Sequence, residues 1–233
     1  MTFRNLTLWI LSLALWGVGC KEEERGPAKK GISSQSLFLE YQIWGDEERD
    51  YVTVLLQLRQ KNSNGKTIRL NPPGFVELDG AVLQPDSSRM SGYFYEALKP
   101  LREFAGLHKI TVVDENKERV SEEFEYTPFR LTSSLGERVG KEGLSLRLAG
   151  LKASDRVRVI LVDTVFSSPD INEMLPVDNG RLEVGPELLS SVKTGPVTLL
   201  LFKEEDRRIH HSAISGGKIA VTYGVKREFD LVD

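Results

Sequence analysis

The sequence has few cysteines and histidines and no excess of either charge. Cys20 is the single cysteine among 233 residues, so a disulfide within the chain is excluded and the fold must depend on packing. Lysine and arginine total 31 against 34 acidic residues, a formal net charge of −3. Because proteins hold DNA and RNA through concentrated positive charge, this balance predicts no nucleic-acid partner.

Metal-binding motifs are absent as well. The three histidines are His108, His210 and His211, and no His-Glu-x-x-His or Cys-x-x-Cys spacing occurs. Adjacent strand residues point to opposite faces, so His210 and His211 are poorly placed to hold one metal and are predicted to lie in an exposed loop between strands. His108 is predicted to be a surface or edge residue. The sequence therefore predicts neither a metal nor another cofactor.

The acidic clusters do not indicate a site. Residues 46–50 (DEERD) lack the alternating aspartates and turn glycine of a calcium loop, and Arg49 stands among them. A catalytic pair for glycoside hydrolysis cannot be selected from the remaining dispersed carboxylates. These are Asp163, Asp170, Glu173 and Asp178. All are interpreted as solvated loop residues.

The segment Ser190–Gly195 (SSVKTG) contains both Ser-x-x-Lys and Lys-Thr-Gly. Penicillin-binding enzymes and serine β-lactamases carry these two motifs on different lysines from distant parts of the chain. Here both motifs share Lys193, and no Ser-Asp-Asn occurs. One lysine cannot fill both positions, so no catalytic residue is predicted and the chain is interpreted as a non-enzyme.

The N-terminal segment has the pattern of a signal peptide. Arg4 precedes an apolar stretch, Leu6–Val18, of 13 residues. A membrane-spanning helix needs about 20 apolar residues, so this stretch is short for a permanent anchor and suits a secretory signal. Residues 1–19 are predicted to be removed.

Cys20 follows small residues in the run Gly17-Val18-Gly19-Cys20. This run resembles a bacterial lipoprotein signal, although Gly17 stands where that family usually has leucine. The resemblance implies that the Cys20 thiol is lipidated, that the chain is cut before it, and that the lipid attaches the protein to a membrane. Plain secretion and an uncleaved anchor are the alternatives.

Residues 20–35 are predicted to be the lipidated cysteine and a flexible tether. The segment after Cys20 is rich in charge, glycine and serine and holds almost nothing apolar to bury. Lys21–Glu24 (KEEE) resembles the signal that sends some lipoproteins to the outer face of the outer membrane. A simple solvated spacer explains it equally, so an outer-membrane lipoprotein is expected and the face is left open.

From residue 36 onward the hydrophobic pattern has a period of two, which is typical of strands. Leu37, Leu39, Tyr41 and Ile43 alternate with other residues, and Asp79-Gly80 is a strong hairpin signal. The predicted strands of the first half are 37–43, 52–58, 67–70, 75–78, 81–83, 91–97, 108–113 and 119–126.

The second half repeats this plan. Its predicted strands are 144–148, 157–162, 181–184, 196–202 and 218–223, with a second hairpin signal at Asn179-Gly180. Pro186 suits the first turn of a short helix. Residues 106–113 and 195–202 each begin with glycine and are each followed by a charged segment that is predicted to be a turn.

This order of elements resembles bacterial immunoglobulin-like and fibronectin-type-III-like domains. The resemblance implies an all-β fold of two tandem antiparallel β-sandwich domains, residues 36–127 and 128–233, joined near Thr127-Pro128. Paired cysteines of the antibody type are absent from both halves.

Two functions fit these expectations. One is a non-catalytic binding or structural module at the cell surface, and the other is a periplasm-facing accessory of an envelope assembly or transport complex. The partner would be an envelope protein or a glycan held by exposed loops and strand edges. Tyr93, Phe94 and Tyr95 form an aromatic run in which Phe94 is the candidate contact, unless it only covers a neighbouring strand or the domain joint.

Overall fold

Strands make up most of the computed structural model, which describes residues 36–164 and 171–233. The predictions for residues 1–35, including Cys20, and for Asp170 lie outside the described residues. The helical segments with described bounds are a 3₁₀ turn at Leu101–Glu103 and helix α1 at Pro186–Leu189. Within the described ranges no helix has the length and apolarity needed to cross a bilayer. The predicted all-β class is confirmed.

The strands are β1 Leu37–Asp46, β2 Tyr51–Gln60, β3 Thr67–Ile68, β4 Phe75–Leu78, β5 Ala81–Leu83, β6 Pro85–Ser88, β7 Gly92–Pro100, β8 Gly106–Val113, β9 Arg119–Tyr126, β10 Arg130–Leu131, β11 Arg138–Gly140, β12 Leu144–Ala149, β13 Arg156–Asp163, β14 Ile171–Pro176, β15 Arg181–Val184, β16 Gly195–Ile209 and β17 Gly216–Val232. They form a ten-stranded sheet in the order β14-β13-β16-β17-β1-β2-β7-β6, with β3 beside β2 and β11 beside β17. A four-stranded sheet has the order β5-β4-β8-β9, and a three-stranded sheet has the order β10-β12-β15.

The period-two pattern places one face of β1 and β2 in the core. Leu37, Leu39, Tyr41 and Ile43 are at most 1% exposed, and Val52, Val54, Leu56 and Leu58 are fully buried. Each such aliphatic side chain contributes about 1.5–3 kcal/mol on burial. The inward residues of the two smaller sheets belong to the same buried cluster, so the sheets pack face to face.

The two hairpin signals differ in outcome. Asp79 and Gly80 both have positive φ, 51° and 81°, and join the paired strands β4 and β5, so this prediction is confirmed. Asn179 and Gly180 also have positive φ, 49° and 75°. There, however, pairing ends after one bridge, since β14 pairs with β13 and β15 pairs with β12 in another sheet. The turn at Asn179-Gly180 therefore forms as predicted, with hydrogen bonds between Asp178 and Arg181 in both directions, but β14 and β15 on either side of it belong to different sheets.

The charged segment after Phe202 is strand, and its prediction as a turn is wrong. Strand β16 continues to Ile209 and pairs with β17 along its whole length. Its charged side chains have partners on other elements: Lys203 Nζ lies 3.1 Å from Asp155 Oδ2, and Arg207 Nη1 lies 2.9 Å from Glu122 Oε2. These ion pairs let the charged segment 203–208 adopt the extended conformation of a strand.

Strand β17 joins the two halves of the sequence. Its first part pairs in parallel with β1, from Phe38 opposite Gly216 to Asp46 opposite Gly224. The described residues of both halves belong to one compact unit. Strand β17 of the second half thus lies beside β1 of the first half within one sheet. The division into separately folding domains at Thr127-Pro128 stays a prediction.

Candidate binding surface

The solvent side of β1, β2 and β7, which we call the outer face, carries an unusual set of apolar side chains. Strand register places Trp44 opposite Thr53 and Thr53 opposite Leu98, so these three residues form one row across the sheet. Because side chains alternate along a strand, the outward positions follow from the buried inward ones. The large apolar members of the outer face are Phe38, Trp44, Tyr51, Leu55, Phe94 and Leu98.

The outer face is only partly covered. Leu98 is 59% exposed and Tyr51 is 40% exposed, whereas Trp44, Leu55 and Phe94 are half-buried by their neighbours. Aromatic and aliphatic side chains grouped in this way are typical of protein interfaces, where rigid rings lose little entropy on contact. The arrangement suits recognition of another surface.

A buried ionic cluster lies at the centre of the outer face. Glu40, whose side chain is 8% exposed, receives a hydrogen bond from Arg59 Nε at 2.7 Å and lies 2.8 Å from Lys218 Nζ. Arg59 also donates to Gln57 Oε1 at 2.7 Å, and Gln57 Nε2 donates to the Ser91 carbonyl at 2.9 Å. The cluster thereby links strands β17, β1 and β2 and holds the outer face rigid.

Two opposing effects act on the Glu40 carboxyl. Burial raises its pKa, but the hydrogen bonds and positive charges of Lys218 and Arg59 together outweigh burial, and the net result is a lowered pKa. Glu40 is therefore ionised at neutral pH and forms a fixed negative charge with two cations beside it.

The aromatic run on β7 is divided between the two faces of the sheet. Tyr95 is 2% exposed, and its hydroxyl accepts a hydrogen bond from the Leu70 N–H at 2.9 Å. Phe94 lies on the outer face, half-buried and opposite Asp86 of β6. Tyr93 is exposed, and the Arg69 guanidinium lies 5.9 Å from its ring centroid. Phe94 thus both covers its neighbours and contributes to the outer face.

The serine–lysine motifs lie directly after helix α1, beginning at its C-cap residue Ser190. The Ser190 hydroxyl donates to the Glu187 carbonyl at 2.9 Å, and the Ser191 hydroxyl donates to the Leu188 carbonyl at 2.8 Å. The backbone N–H of Lys193 donates to Asp163 Oδ2 at 3.0 Å, while its side chain is exposed. The serines are occupied in completing the end of a helix.

His108 is buried, and its prediction as a surface or edge residue is wrong. Its ring stacks on Phe104 with 3.7 Å between centroids. Nδ1 lies 2.8 Å from Asp79 Oδ2, and Nε2 lies 2.9 Å from the Phe104 carbonyl oxygen. These partners let an imidazole occupy an inward position. His210 and His211 lie exposed between β16 and β17, as predicted.

The acidic segment 46–50 makes contacts within the fold. Asp46 Oδ1 accepts the N–H groups of Glu48 and Arg49, both at 3.0 Å, and so closes the turn after β1. Glu47 pairs with both Nη atoms of Arg227 on β17. In residues 36–164 and 171–233 no three His, Cys, Asp or Glu side chains are arranged to hold a metal.

An acidic hollow lies at the far end of the β16–β17 hairpin, where Pro196 pairs with Asp230. Its volume is about 560 Å³. Its acidic lining residues are Glu137, Asp163, Glu228 and Asp230. Of the other carboxylates considered as a glycosidase pair, Glu173 is exposed on β14 and Asp178 accepts a hydrogen bond from Asn179.

Comparison with known proteins adds little to this description. No family model and no curated protein matches the chain. Among solved structures, tandem domains IG1 and IG2 of DIP-gamma align at 10% identity over 81% of this chain and 94% of that chain, with a TM-score of 0.24. The adhesin InvE of Yersinia pseudotuberculosis aligns at 15% identity over 85% of this chain and 61% of that chain, with a TM-score of 0.24.

A bacterial ice-binding adhesin aligns at 13% identity, over 84% of this chain and 65% of that chain, with a TM-score of 0.23. TM-scores this low carry no argument about function. The class follows from the strands themselves: the described chain is all-β and is made of packed sheets.

Sequence reasoning missed Leu98, Trp44 and Tyr51 as surface residues. The predicted strand 91–97 ends before Leu98, whereas β7 runs on to Pro100 before the 3₁₀ turn. The alternation Phe94, Glu96, Leu98 was the available signal, since it continues the period of two beyond Ala97. Trp44 and Tyr51 gave no comparable signal, because their outward direction depends on the full lengths of β1 and β2.

Proposed function

We propose that the chain is a non-catalytic, lipid-anchored protein of the cell envelope that binds a partner protein through the outer face. The observation that carries the binding role is the exposed pair Leu98 and Tyr51 on the same face of the sheet as the buried Glu40 cluster. Apolar side chains provide the contact area, and the ionic cluster keeps the sheet rigid, which reduces the entropy lost on association. The two-domain division at Thr127-Pro128 is part of the proposal.

The anchor rests on the sequence before residue 36. The apolar segment, the small residues and Cys20 together support cleavage after residue 19 and lipidation of Cys20, with residues 21–35 as the tether. A periplasm-facing accessory of an envelope complex is the second candidate, since KEEE serves equally as a plain spacer. Protease added to intact cells distinguishes the two, because only a surface-exposed chain is removed.

Replacing Cys20 tests the anchor. C20S is expected to abolish acylation and cleavage at this site, because the thiol is the atom that the lipid modifies. Mass spectrometry of the purified protein should detect an acyl-modified N-terminal cysteine in the wild type and an unprocessed chain in the variant. A wild-type protein without an acyl group would refute the anchor.

The outer face is tested by L98S beside the control L107S. Leu107 is 70% exposed on β8, outside the outer face, so both changes remove one exposed leucine. The full-length protein would be immobilised in detergent and exposed to envelope extract. L98S is expected to weaken binding of the envelope protein that the wild type captures at least tenfold, a loss of about 1.4 kcal/mol or more in binding free energy. The melting temperature of L98S should be unchanged.

L107S should retain the partner as the wild type does, and F94S should show an intermediate loss because Phe94 is half-buried. Equal losses in L98S and L107S would place the binding site elsewhere. K193A is expected to change neither folding nor any activity. A catalytic turnover that disappears in K193A, with folding intact, would overturn the non-enzymatic proposal.

A further inference from the structure

Several loops meet around the first described residue, and we call this region the Ser36 end. The Lys61 N–H donates to the Ser36 carbonyl at 2.7 Å, and the Ser215 N–H donates to the Leu37 carbonyl at 2.9 Å. The Tyr93 N–H donates to Thr67 Oγ1 at 2.9 Å, which brings in the turn before β7. The Ser36 end therefore comprises loop 61–66, turn 88–92 and turn 210–215.

Four basic side chains at or beside these loops are exposed: Lys61, Lys66, Arg69 and Arg89. Among the described residues none of the four has an ion-pair partner, whereas Arg49, Arg59, Lys109 and Arg119 of the same half do. The Arg69 guanidinium lies over the Tyr93 ring, 5.9 Å from its centroid. Met90, adjacent to Arg89, is 98% exposed and is the most exposed large apolar residue described.

Acidic groups near the Ser36 end are already bound to backbone donors. Asp114 Oδ1 accepts the N–H groups of Asn116 and Glu118, both at 2.8 Å. Glu115 Oε1 accepts the Asn71 N–H at 3.0 Å. Two further exposed carboxylates, Asp86 and Asp206, lie beside turns 88–92 and 210–215, so exposed basic side chains outnumber exposed acidic ones at the Ser36 end.

The opposite end of the molecule has the reverse charge. The acidic hollow lies where β16 begins, and β16 is 15 residues long, so the hollow and the Ser36 end are separated by roughly 50 Å along the hairpin. Because its two ends carry opposite charge, the molecule is oriented by the electric field of a charged surface.

The point of attachment agrees with the charges. If Cys20 carries the lipid, the 15 residues 21–35 separate it from Ser36, and a flexible tether of that length would have a root-mean-square span of about 22 Å. This span is less than half the length of the hairpin. The tether therefore holds the Ser36 end, and not the acidic hollow, close to the bilayer.

From these observations we infer that the Ser36 end docks on the phosphate groups of the anionic bilayer surface that holds the lipid, through Lys61, Lys66, Arg69 and Arg89, with Met90 entering the headgroup layer. This inference rests on the proposed lipid anchor. Docking in this way would leave the outer face pointing along the plane of the bilayer, where a partner can reach it.

The test uses the full-length lipidated protein in vesicles of phosphatidylcholine, with or without phosphatidylglycerol. A fluorophore is placed at M90C or, as the distal control, at T194C, and lipids with a headgroup quencher report proximity. Because the Cys20 thiol is acylated, each new cysteine is the only free thiol. Mass spectrometry of the wild type beside C20S establishes the acyl group first.

We expect strong quenching at position 90, weak quenching at position 194, and loss of the difference at high salt. Each basic residue near an anionic bilayer contributes about fivefold to binding. K61Q/K66Q/R69Q/R89Q should therefore lower the docked-to-undocked ratio at least tenfold in anionic vesicles. The control R130Q/R138Q/R147Q/K193Q removes four exposed charges of the second half and should change the ratio less than twofold.

Equal quenching at the two positions, or equal effects of the two quadruple variants, would overturn the docking inference while leaving the anchor intact. A wild type without an acyl group would overturn the anchor instead. In that case co-sedimentation of the same protein with anionic vesicles decides the docking inference: selective loss in the Lys61 quadruple variant supports it, and no binding refutes it.

Discussion

The segment Ser33–Thr127, expressed without the second half, is expected to fold but to lose about 5 kcal/mol of unfolding free energy. The reason is the missing β17, whose inward residues Ile219, Val221 and Tyr223 are 1%, 7% and 6% exposed beside β1. Burial of one large apolar side chain contributes about 1.5–3 kcal/mol, so three give roughly this sum. Without β17 the edge of β1 is also left unpaired.

Trp44 makes this loss measurable. It is the only tryptophan after residue 19, so its fluorescence during urea unfolding reports the first half in both the processed full chain and the isolated segment. Mixing with Pro128–Asp233 should restore most of the lost stability through the β1–β17 pairing. Equal urea midpoints with and without the second half would show that this pairing contributes nothing. Failure of either half to fold when expressed alone would refute the proposed domain division.

Replacing Glu40 by glutamine is expected to cost about 2 kcal/mol at pH 7. Removing one member of a fully buried ion pair costs about 3–5 kcal/mol, but Arg59 and Lys218 are 23% and 51% exposed and keep part of their hydration. E123Q is the matched control, because Glu123 is exposed and its ion pair with Lys109 Nζ, at 3.7 Å, is long and solvated. That change should cost no more than about 0.5 kcal/mol.

E40Q should also change the dependence of the unfolding free energy on pH. The pKa of Glu40 is lowered in the folded chain from its ordinary value of 4.5. A lowered folded pKa stabilises the protein above the unfolded pKa, and this stabilisation is lost as the pH falls through the folded value. The difference between wild type and E40Q should thus be full at pH 7 and shrink progressively below pH 4.5. A difference that stays constant down to pH 3 would contradict this account.

Local features of the fold were accessible from the sequence. The bounds of β9, the turn at Asp79-Gly80 and the inward residues of β1 and β2 agree with the predictions. In each case the determining interaction lies within a few residues: alternation fixes which side chains face the core, and positive φ favours aspartate and glycine in a tight turn. The prediction of Pro186 at the first turn of a helix succeeded for the same reason.

The longer-range features depended on residues far apart in the chain. The strand at Lys203–Arg208 resembles a turn until Glu122 and Asp155 are placed beside it, and His108 looks exposed until Phe104 and Asp79 enclose its ring.

The sequence by itself determined that this chain is all-β, where most strands lie and which of their faces are buried. Only the tertiary structure decided that β17 runs beside β1, that Glu40 and Lys218 meet, and that Leu98 remains on the surface. The physical reason is that strand formation and burial follow a local period of two. Pairing between distant strands depends instead on which edges and charges meet after the chain has folded.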